Sequence, residues 1–419
     1  MAGINPGYFH GSLSTEDVQA VVAKALGPNV KIVNYHSKPY CEIILGFLGA
    51  HSLLEVTVQI DNTTLSEIHS FFVKYIPHNS EKGAKLLKEF DVFKFETTFF
   101  RDLVPELLKN FKSEQWSPEC YLVKDDVLVF ENLKMKNFRV CDLILDEAAV
   151  KAAASTVARF HAASVVAEKR LKKSFHEMHP TIFLNWQYNP DNVYFKYVLV
   201  GIDAIIGVAE TLNLDASKVR DYIILKLSEI AKPSSTRRNI LCHTDLWSNN
   251  IMINDIDDSP KCILVDFQTL KYVPPAADLA HLIISTMSRK SRDALEKGII
   301  QWYHEVFKET IMRNEPDMAV RSVQDLLEEY EEYRHYALSH AALQHLHVSM
   351  DKDFIAKLYE DSVAYEKFFF EEKTGTVIEM MEKNPDYREK ITELVKEVVE
   401  CANRIMYWQT MTGCIFDDN

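Results

Sequence analysis

Two aspartates and an asparagine flank a short hairpin-like segment near residue 250, and these residue types could support phosphoryl transfer. Asp245 and Asn250 lie in the stretch His243-Thr-Asp-Leu-Trp-Ser-Asn-Asn250, and Asp266 opens the triplet Asp266-Phe-Gln268. Between them, two apolar runs joined by turn residues read as strand, turn and strand. In phosphoryl transfer one Asp takes the proton of the attacking hydroxyl, while an Asn and a second Asp hold Mg²⁺ against the nucleotide phosphates.

Each of these residues also has an ordinary structural interpretation. An Asp or Asn in a loop commonly caps a helix or makes a turn. The combination is more specific, because the offset from Asp245 to Asn250 matches the pattern H-x-D-x-x-x-x-N of kinase catalytic loops and the pair Asp266-Phe follows a hairpin. The spacing therefore favours a magnesium-dependent phosphoryl-transfer site.

Such a site needs a lysine for the nucleotide phosphates, and the first third of the chain should supply it. Lys74 is the best candidate because it is a lone charge in the apolar run 71–76. A solvated lysine on the outer face of a strand is the structural alternative. Glu96, amid apolar residues of a predicted helix 83–102, is the candidate partner, since a buried carboxylate needs one. Glu89 competes for that role but fits a solvated helix face.

The remaining nucleotide contacts are less distinctive. Gly46-Phe-Leu-Gly49 places two glycines between predicted strands, which allows the backbone to approach a phosphate closely. It is not a G-x-G-x-x-G pattern, and a plain hairpin turn is the alternative. The strand 129–133 leads into a helical region, where backbone groups of Glu131 and Leu133 could hold an adenine ring. Gly49, Glu131 and Leu133 therefore complete the predicted nucleotide site.

The predicted helices and strands divide the chain into two parts. Residues 1–133 mix strand and helix signals, beginning with a helix at 13–26 capped by Ser14 or Thr15. Strands are predicted at about 41–47, 53–60, 71–76, 120–123 and 127–130. Helical patterns dominate from 134 to 419, at 145–169, 194–212, 215–231, 276–312, 322–347, 352–371 and 386–405. The helix after 83 is expected to stop near Pro105, and the hairpin 251–265 is the single β feature expected after 133.

This organisation predicts an α+β fold. Residues 1–133 form a nucleotide-binding N-lobe, a hinge lies near 131–133, and residues 134–419 form a C-lobe with the catalytic loop, the metal site and a helical acceptor pocket.

Composition excludes several classes of function. Across 419 residues, 61 Asp and Glu outnumber 47 Lys and Arg, for a net charge of −14. Such a surface repels nucleic acid and anionic lipid, so neither partner is expected. The seven cysteines form no C-x-x-C pair, which favours a reducing cytoplasm over a disulfide framework or a zinc site. Residues 1–10 lack the basic and apolar regions typical of secretory signals, and the apolar stretch 197–209 is too short to span a membrane.

Several motifs together resemble the ecdysteroid kinase-like family. They are His243-Thr-Asp245-Leu-Trp247, Asp266-Phe-Gln268 and Pro275-Ala-Ala-Asp278-Leu279, with supporting similarity at 93–105, 129–133 and 158–162. That family belongs with choline kinases and aminoglycoside phosphotransferases in the protein-kinase-like fold. Two positions depart from its pattern: Thr244 stands where glycine is usual, and Asn132 stands where an acidic residue is common.

The resemblance implies a role for each matching residue. Asp245 would be the catalytic base, Asn250 and Asp266 the Mg²⁺ ligands, Lys74 the phosphate clamp and Glu96 its ion-pair partner. It also implies ATP and Mg²⁺ as cofactors, and a bilobal architecture with an antiparallel sheet in a small N-lobe and a mostly helical C-lobe.

Three further residues of the matching motifs would act structurally. Asp278 would brace the catalytic loop, His243 would hold that loop by hydrogen bonds, and Trp247 would pack beneath it.

The acceptor should be a small-molecule hydroxyl. Only residues 269–273 separate Asp266-Phe-Gln268 from Pro274, and no A-P-E motif follows, so no protein substrate is expected. Aromatic residues of the region 171–235 would suit an apolar polycyclic alcohol, although simple helix packing is the alternative. They are Phe183, Trp186, Tyr188, Tyr194, Phe195 and Tyr197. The family name implies an ecdysteroid-like sterol; a xenobiotic alcohol or phenol, such as a plant phenol or glycoside, is the other interpretation.

Two other classes of function stay open. The weak glycine loop and Thr244 would fit a non-catalytic pseudokinase that binds nucleotide or ligand. Acidic runs at 328–332 and 371–373 would fit a protein-interaction module, although such runs are usually solvated helix faces.

Overall fold

A computed structural model describes residues 13–40, 50–59, 66–76, 92–183, 193–257 and 259–412. The chain forms two compact units. The first comprises 1–140 and 251–269, and the second comprises 141–250 and 270–419. The first unit thus extends past the predicted boundary at 133 and also takes in the 251–264 hairpin. The reason is strand pairing, because Arg139 and Val140 pair with Ile253 and Met252.

Five antiparallel strands form the main sheet of the first unit. In the order β1-β2-β3-β5-β4, they are β1 Lys31–Pro39, β2 Ala50–Gln59, β3 Ser66–Tyr75, β4 Cys120–Val123 and β5 Val127–Glu131. The β4–β5 hairpin and the runs in β2 and β3 were predicted. β1 was not, because Tyr35 is its only buried residue and no apolar alternation marks it. The predicted strand 41–47 lies outside the described residues.

Helix α1 (Thr15–Leu26) packs on this sheet where the sequence predicted a helix. The Ser14 hydroxyl accepts a hydrogen bond from the Asp17 N–H, and the Asp17 carboxylate accepts one from the Ser14 N–H. This capping box satisfies amides at the start of the helix. Alternate β2 residues face the helix, as the strand period requires. The cluster includes Val18, Val21 and Val22 of α1 with Leu54, Val56 and Val58 of β2.

The helical segment after residue 92 differs from the prediction. It runs as α2 Val92–Thr98, wider π-type turns at Phe99–Leu103, and α3 Val104–Leu108. The expected stop near Pro105 is wrong. Pro105 lies in the first turn of α3, where a backbone N–H needs no helical partner, so the ring is tolerated. The predicted start at 83 lies outside the described residues.

A second, three-stranded sheet of the first unit contains the predicted hairpin. Its order is β6-β8-β9, with β6 Arg139–Val140, β8 Ile251–Asn254 and β9 Lys261–Leu264. The hairpin pairs Ile251 with Leu264 and Ile253 with Cys262. Asp266 follows directly after β9, so strand pairing anchors the segment that carries it.

The second unit is mostly helical, which together with the antiparallel sheets confirms the α+β class. Its longer helices are α4 Glu147–Leu171, α6 Val193–Thr211, α7 Val219–Ser228, α8 Ala276–Thr286, α9 Arg289–Asn314, α10 Val323–Val348, α11 Lys352–Glu360, α12 Ser362–Phe370, α13 Thr374–Lys383 and α14 Pro385–Thr412, with a single-turn helix α5 at Phe175–Met178. α4 packs against α9, and α10 packs against α8 and α14. The predicted helix 276–312 is divided into α8 and α9, and the predicted helix 352–371 is divided into α11 and α12. Helix α13 was not predicted.

A second β feature was also missed. Strands β7 (Ile240–Cys242) and β10 (Lys271–Val273) form an antiparallel pair in the second unit. The expectation of a single β feature after residue 133 is therefore wrong. Each strand is only three residues long, so neither has a readable period, and their pairing bridges about thirty residues of sequence. Among the described helices, none combines the length and apolar character that crossing a bilayer requires.

Candidate functional site

Lys74 is buried in the first unit and bonded to two carboxylates. Its ammonium donates to Glu96 Oε2 at 2.6 Å and to Asp266 Oδ1 at 2.7 Å. Lys74 is 5% exposed and Glu96 is 1% exposed, so this lysine is not the solvated strand residue of the alternative interpretation. The Lys74–Glu96 contact is the one that the sequence predicted, and Asp266 joins the same cluster.

The charges of this cluster depend on one another. Burial alone would lower the pKa of the Lys74 ammonium, but Asp266 and Glu96 outweigh burial and raise that pKa above its usual value. Burial also raises the pKa of Glu96, which Lys74 and the Phe267 backbone oppose. His51 lies opposite Lys74 on β2, and burial together with Lys74 lowers the pKa of His51 to about 4. The imidazole is therefore neutral at pH 7 and adds no second positive charge.

Two features hold Asp266 in place. Its backbone is left-handed, with φ of 68°, a conformation that Asp tolerates better than most residues. The next residue, Phe267, is fully buried and stacks on Phe99, with ring centroids 4.5 Å apart. Trp116 contacts the same Phe267 ring edge-on. The aromatic anchor fixes the backbone, while the Asp266 side chain keeps 37% of its surface exposed.

In the second unit, buried Asp278 organises the loop that carries Asp245. Its two carboxylate oxygens accept the backbone N–H groups of His243 at 2.6 Å and Thr244 at 2.7 Å. His161 Nε2 lies 3.0 Å from the Asp278 oxygen that binds His243, and the other nitrogen of the His161 ring lies 2.7 Å from the Tyr303 hydroxyl. These bonds agree with the predicted bracing role of Asp278.

The Asp245 carboxylate is held on both oxygens. Asn250 Nδ2 donates to Asp245 Oδ2 at 2.8 Å and to the Asp245 carbonyl at 2.8 Å. Gln344 Nε2 donates to Asp245 Oδ1 at 2.8 Å. Both bonds of Asn250 use its amide nitrogen, and its amide oxygen is the kind of ligand that Mg²⁺ prefers. Gln344 was missed by the sequence analysis, because it lies in α10, 99 residues after Asp245, and no local pattern marks it.

Of the other residues considered for the nucleotide site, only some lie within the described part of the chain. Gly49 lies outside the described residues, as does the competitor Glu89. The Glu131 carboxylate accepts from Gln115 and from the Glu119 N–H and pairs with Lys136.

The hinge backbone itself is partly engaged. The Glu131 N–H donates to the Glu119 carbonyl at 2.9 Å, and the Leu133 carbonyl accepts from the Phe138 N–H at 3.1 Å. Contact of Glu131 and Leu133 with an adenine ring stays a prediction, and it would use their other backbone groups.

Of the six predicted aromatic residues, three separate into two sets in the second unit, and Phe195 is half-buried on α6. Phe183 stacks on His176, with ring centroids 5.9 Å apart, and also contacts Tyr272, which fits the packing alternative. Tyr194 and Tyr197 of α6 instead lie close enough to Asp245 for its charge to contribute to raising both of their pKa values, after burial as the main cause. Trp186 and Tyr188 lie outside the described residues.

A buried lysine between a helix glutamate and the aspartate after a hairpin, in a chain with an H-x-D-x-x-x-x-N loop, is typical of kinase-like phosphotransferases. The chain belongs to the Ecdysteroid kinase-like family, whose model matches residues 50–314, more than half of its length. The prediction of a phosphotransferase that acts on an alcohol group is thereby confirmed at the level of the family. No curated protein matches the chain.

Several solved structures are similar to this chain. An ethanolamine kinase from Plasmodium vivax is 14% identical, with 84% of this chain and 88% of that one covered and a TM-score of 0.39. A choline kinase from Streptococcus pneumoniae is 12% identical over 77% and 98% of the two chains, with a TM-score of 0.31. An ADP-bound aminoglycoside phosphotransferase is 13% identical over 79% and 99%, with a TM-score of 0.33.

Proposed function

We propose that this protein is an ATP- and Mg²⁺-dependent kinase that transfers the γ-phosphoryl group of ATP to a hydroxyl of a small organic acceptor. The acceptor is an ecdysteroid-like sterol or a xenobiotic alcohol or phenol. The observation that carries the proposal is the buried Lys74, bonded at once to Glu96 and Asp266. A buried cation with two carboxylates on separate elements is costly to build, and it suits a site that binds phosphate and a metal ion.

In this proposal Asp245 acts on the acceptor hydroxyl. The hydroxyl proton passes to Asp245, the hydroxyl oxygen bonds to the γ-phosphorus, and the bond from that phosphorus to the ADP oxygen breaks with its electron pair on ADP. The bonds from Asn250 and Gln344 fix the orientation of the carboxylate before the reaction. Such positioning accounts for much of the rate gain in phosphoryl transfer, because the reaction requires little covalent chemistry from the protein.

The metal ligands would be Asn250 and Asp266. A carboxylate with an exposed face and an amide oxygen are hard donors, which fits Mg²⁺. When bound, Mg²⁺ neutralises phosphate charge. Lys74 would hold a phosphate oxygen, and Glu96 keeps that lysine charged and oriented.

A small acceptor is favoured by the short segment after Asp266. Lys271–Val273 is tied into a strand pair with β7, and α8 begins at Ala276. No long activation segment is present there to dock a peptide. The cytoplasm, where ATP is abundant, is the proposed site of action, and the described cysteines are all free thiols, as in a reducing compartment.

The decisive experiment is a screen of alcohols and phenols with Mg-ATP, read by the mass gain of one phosphate. At least one acceptor should be phosphorylated, and Asp245→Asn should lower its turnover by about 10²–10⁴-fold while Mg-ATP still binds. Asp215→Asn is the matched control, since Asp215 is an exposed turn residue bonded to Ser217. Nucleotide binding without any product across the library would instead support a ligand-binding pseudokinase.

The metal assignment has its own test. Mn²⁺ can replace Mg²⁺, and its binding with ATP is visible by electron paramagnetic resonance. Asn250→Ala and Asp266→Ala should each weaken Mn²⁺ binding in the presence of ATP, whereas the exposed Asp255→Asn should not. Unchanged Mn²⁺ affinity in both alanine variants would remove these residues from the metal site.

A further inference from the structure

A second buried lysine lies in the second unit, surrounded by aromatic rings. Lys373 has no exposed surface. Its ammonium lies 4.4 Å from the centroid of the Tyr197 ring, 5.1 Å from that of Phe368 and 5.4 Å from that of Phe369. His347 packs edge-on against both Tyr197 and Phe369. We call Tyr197, His347, Phe368, Phe369 and Lys373 the Lys373 cluster.

The Lys373 ammonium has no hydrogen-bond partner within the described residues. Burial lowers its pKa to about 7, and no carboxylate among the described residues opposes that shift. Contact with aromatic faces offsets only part of the free-energy cost of burying an ammonium. The fold therefore keeps a hydrogen-bond donor that its described residues leave unused, at a net cost in stability. A buried donor without a partner calls for an explanation, and a ligand that supplies the missing acceptor is one.

The cluster is linked to the proposed catalytic base through two elements. On α10, Gln344 bonds to Asp245, and His347 follows it by three residues on the same helix face. His347 Nδ1 lies 3.4 Å from the Tyr197 hydroxyl. On α6, the Asp245 charge is among the influences that raise the pKa of Tyr197, burial being the largest. A molecule with its hydroxyl at Asp245 would therefore meet these rings with the rest of its body.

The side of the cluster that carries Tyr197 and His347 is partly accessible. Both residues are half-buried, as is the neighbouring Tyr194, while Lys373, Phe368 and Phe369 are buried. The cluster thus combines several aromatic rings with one buried hydrogen-bond donor. It suits a flat, apolar body with a single polar group.

We propose that the Lys373 cluster binds the end of the acceptor remote from the reacting hydroxyl. The half-buried Tyr197 and His347 rings move aside as the acceptor enters, and Lys373 then donates a hydrogen bond to a carbonyl or carboxylate oxygen of the acceptor. This inference rests on the proposed kinase function and narrows its substrate class. An ammonium has three donors and no acceptor, so it selects oxygen acceptors. In its protonated form the lysine repels a cationic group, which the described cluster could not neutralise. Acceptors of the choline type, with a quaternary ammonium, are therefore disfavoured.

The test uses matched alcohols that differ only in the group para to the hydroxymethyl. The probes carry a carboxylate, its methyl ester, a methyl group or a trimethylammoniomethyl group, each on a phenyl and on a biphenyl spacer. Binding is measured by calorimetry with Mg-ADP present. The carboxylate or ester probe should bind at least about tenfold more tightly than the cation on one of the spacers. In Lys373→Met the affinity for the carboxylate or ester probe should exceed that for the cationic probe by less than about threefold. The affinity for the methyl probe should be unchanged.

Lys390→Met is the matched control. Lys390 is also a buried lysine whose ammonium has no hydrogen-bond partner among the described residues, but its nearest charges are Glu393, Arg292 and Glu397 of a different region. It should keep the wild-type preference. Wild-type preference for the cation, or an oxygen preference that survives in Lys373→Met, would overturn the inference. The relative affinities of the probes for the wild-type protein test the inference even if a variant fails to fold. Failure of Mg-ADP to bind at all would instead refute the proposed kinase function.

Discussion

Lys74 donates a hydrogen bond at 2.7 Å to Asp266, a residue 192 positions later in the chain. Asp266 therefore shares with Glu96 the compensation of a buried ammonium, in addition to its proposed role as a metal ligand. The contact joins the main sheet of the first unit to the segment that follows the β8–β9 hairpin. It places the proposed phosphate clamp beside a proposed metal ligand within one compact unit.

Because Lys74 and Glu96 are both buried and are bonded to each other, we predict strong energetic coupling between them. Lys74→Met should destabilise the protein by about 3–5 kcal/mol in urea unfolding, because Glu96 would be left buried without its cation. Adding Glu96→Gln to that variant should recover part of the loss, while Mg-ATP affinity stays low. Lys124→Met, which breaks a half-exposed pair with Asp17, should cost at most about 1 kcal/mol. Additive effects of the Lys74 and Glu96 changes would contradict the coupling.

Gln344 should act as a positioning residue for Asp245. Gln344→Leu removes the donor to Asp245 Oδ1, so the carboxylate gains freedom, and kcat should fall about 10–100-fold with little change in the KM for ATP. Gln324→Leu, on an exposed turn of the same helix, is the control and should leave kcat unaltered. Equal kcat values for the two variants would show that the Gln344 bond has no part in catalysis.

Thr244 is strained, and glycine should relieve the strain. Its φ of 59° lies in the left-handed region, which a β-branched residue rarely adopts. The bond from its N–H to Asp278 holds it there. Thr244→Gly should therefore stabilise the protein by about 1 kcal/mol, measured by urea unfolding, after the entropy cost of glycine is included. Asn137→Gly, at φ of 61°, should gain less because Asn tolerates this conformation. A loss of stability in Thr244→Gly would show that the threonine side chain contributes more than its backbone costs.

Buried histidines should make stability fall in mild acid. His281 and His345 have no exposed surface, and burial first, then the neighbouring His340 and Lys390 respectively, lower their pKa values well below the usual range. The unfolded chain takes up these protons as pH falls below about 6.5, and the folded chain does not, so each residue should cost about 1.4 kcal/mol per pH unit there. Well above pH 6.5 these histidines are neutral in both the folded and the unfolded chain, so their contribution to stability no longer changes with pH.

The measurement is urea unfolding at a series of pH values from neutral to mildly acidic. His345→Gln should reduce the slope of stability against pH, even if the variant is less stable at neutral pH. A slope equal to that of the wild type would mean that His345 is protonated in the folded state as well.

Much of the local structure was predictable because its signals are local. The Ser14 cap, the β4–β5 hairpin and the β8–β9 hairpin each depend on residues a few positions apart. β1 was missed because an edge strand with polar residues carries no period. The pair β7–β10 was missed because three-residue strands specify no partner, and the helix through Pro105 was missed because proline is harmless at a first turn.

The sequence alone determined which chemical groups are present and at what spacing: an H-x-D-x-x-x-x-N loop, an aspartate after a hairpin, and a lone lysine in an apolar strand. Those are properties of neighbouring residues. Folding brings Lys74 to Asp266 as well as to Glu96, and it brings Gln344 to Asp245. It also encloses Lys373 among aromatic rings, without a hydrogen-bond partner among the described residues. Such contacts join distant parts of the chain, and burial, which sets their charge states, exists only once those parts are packed together.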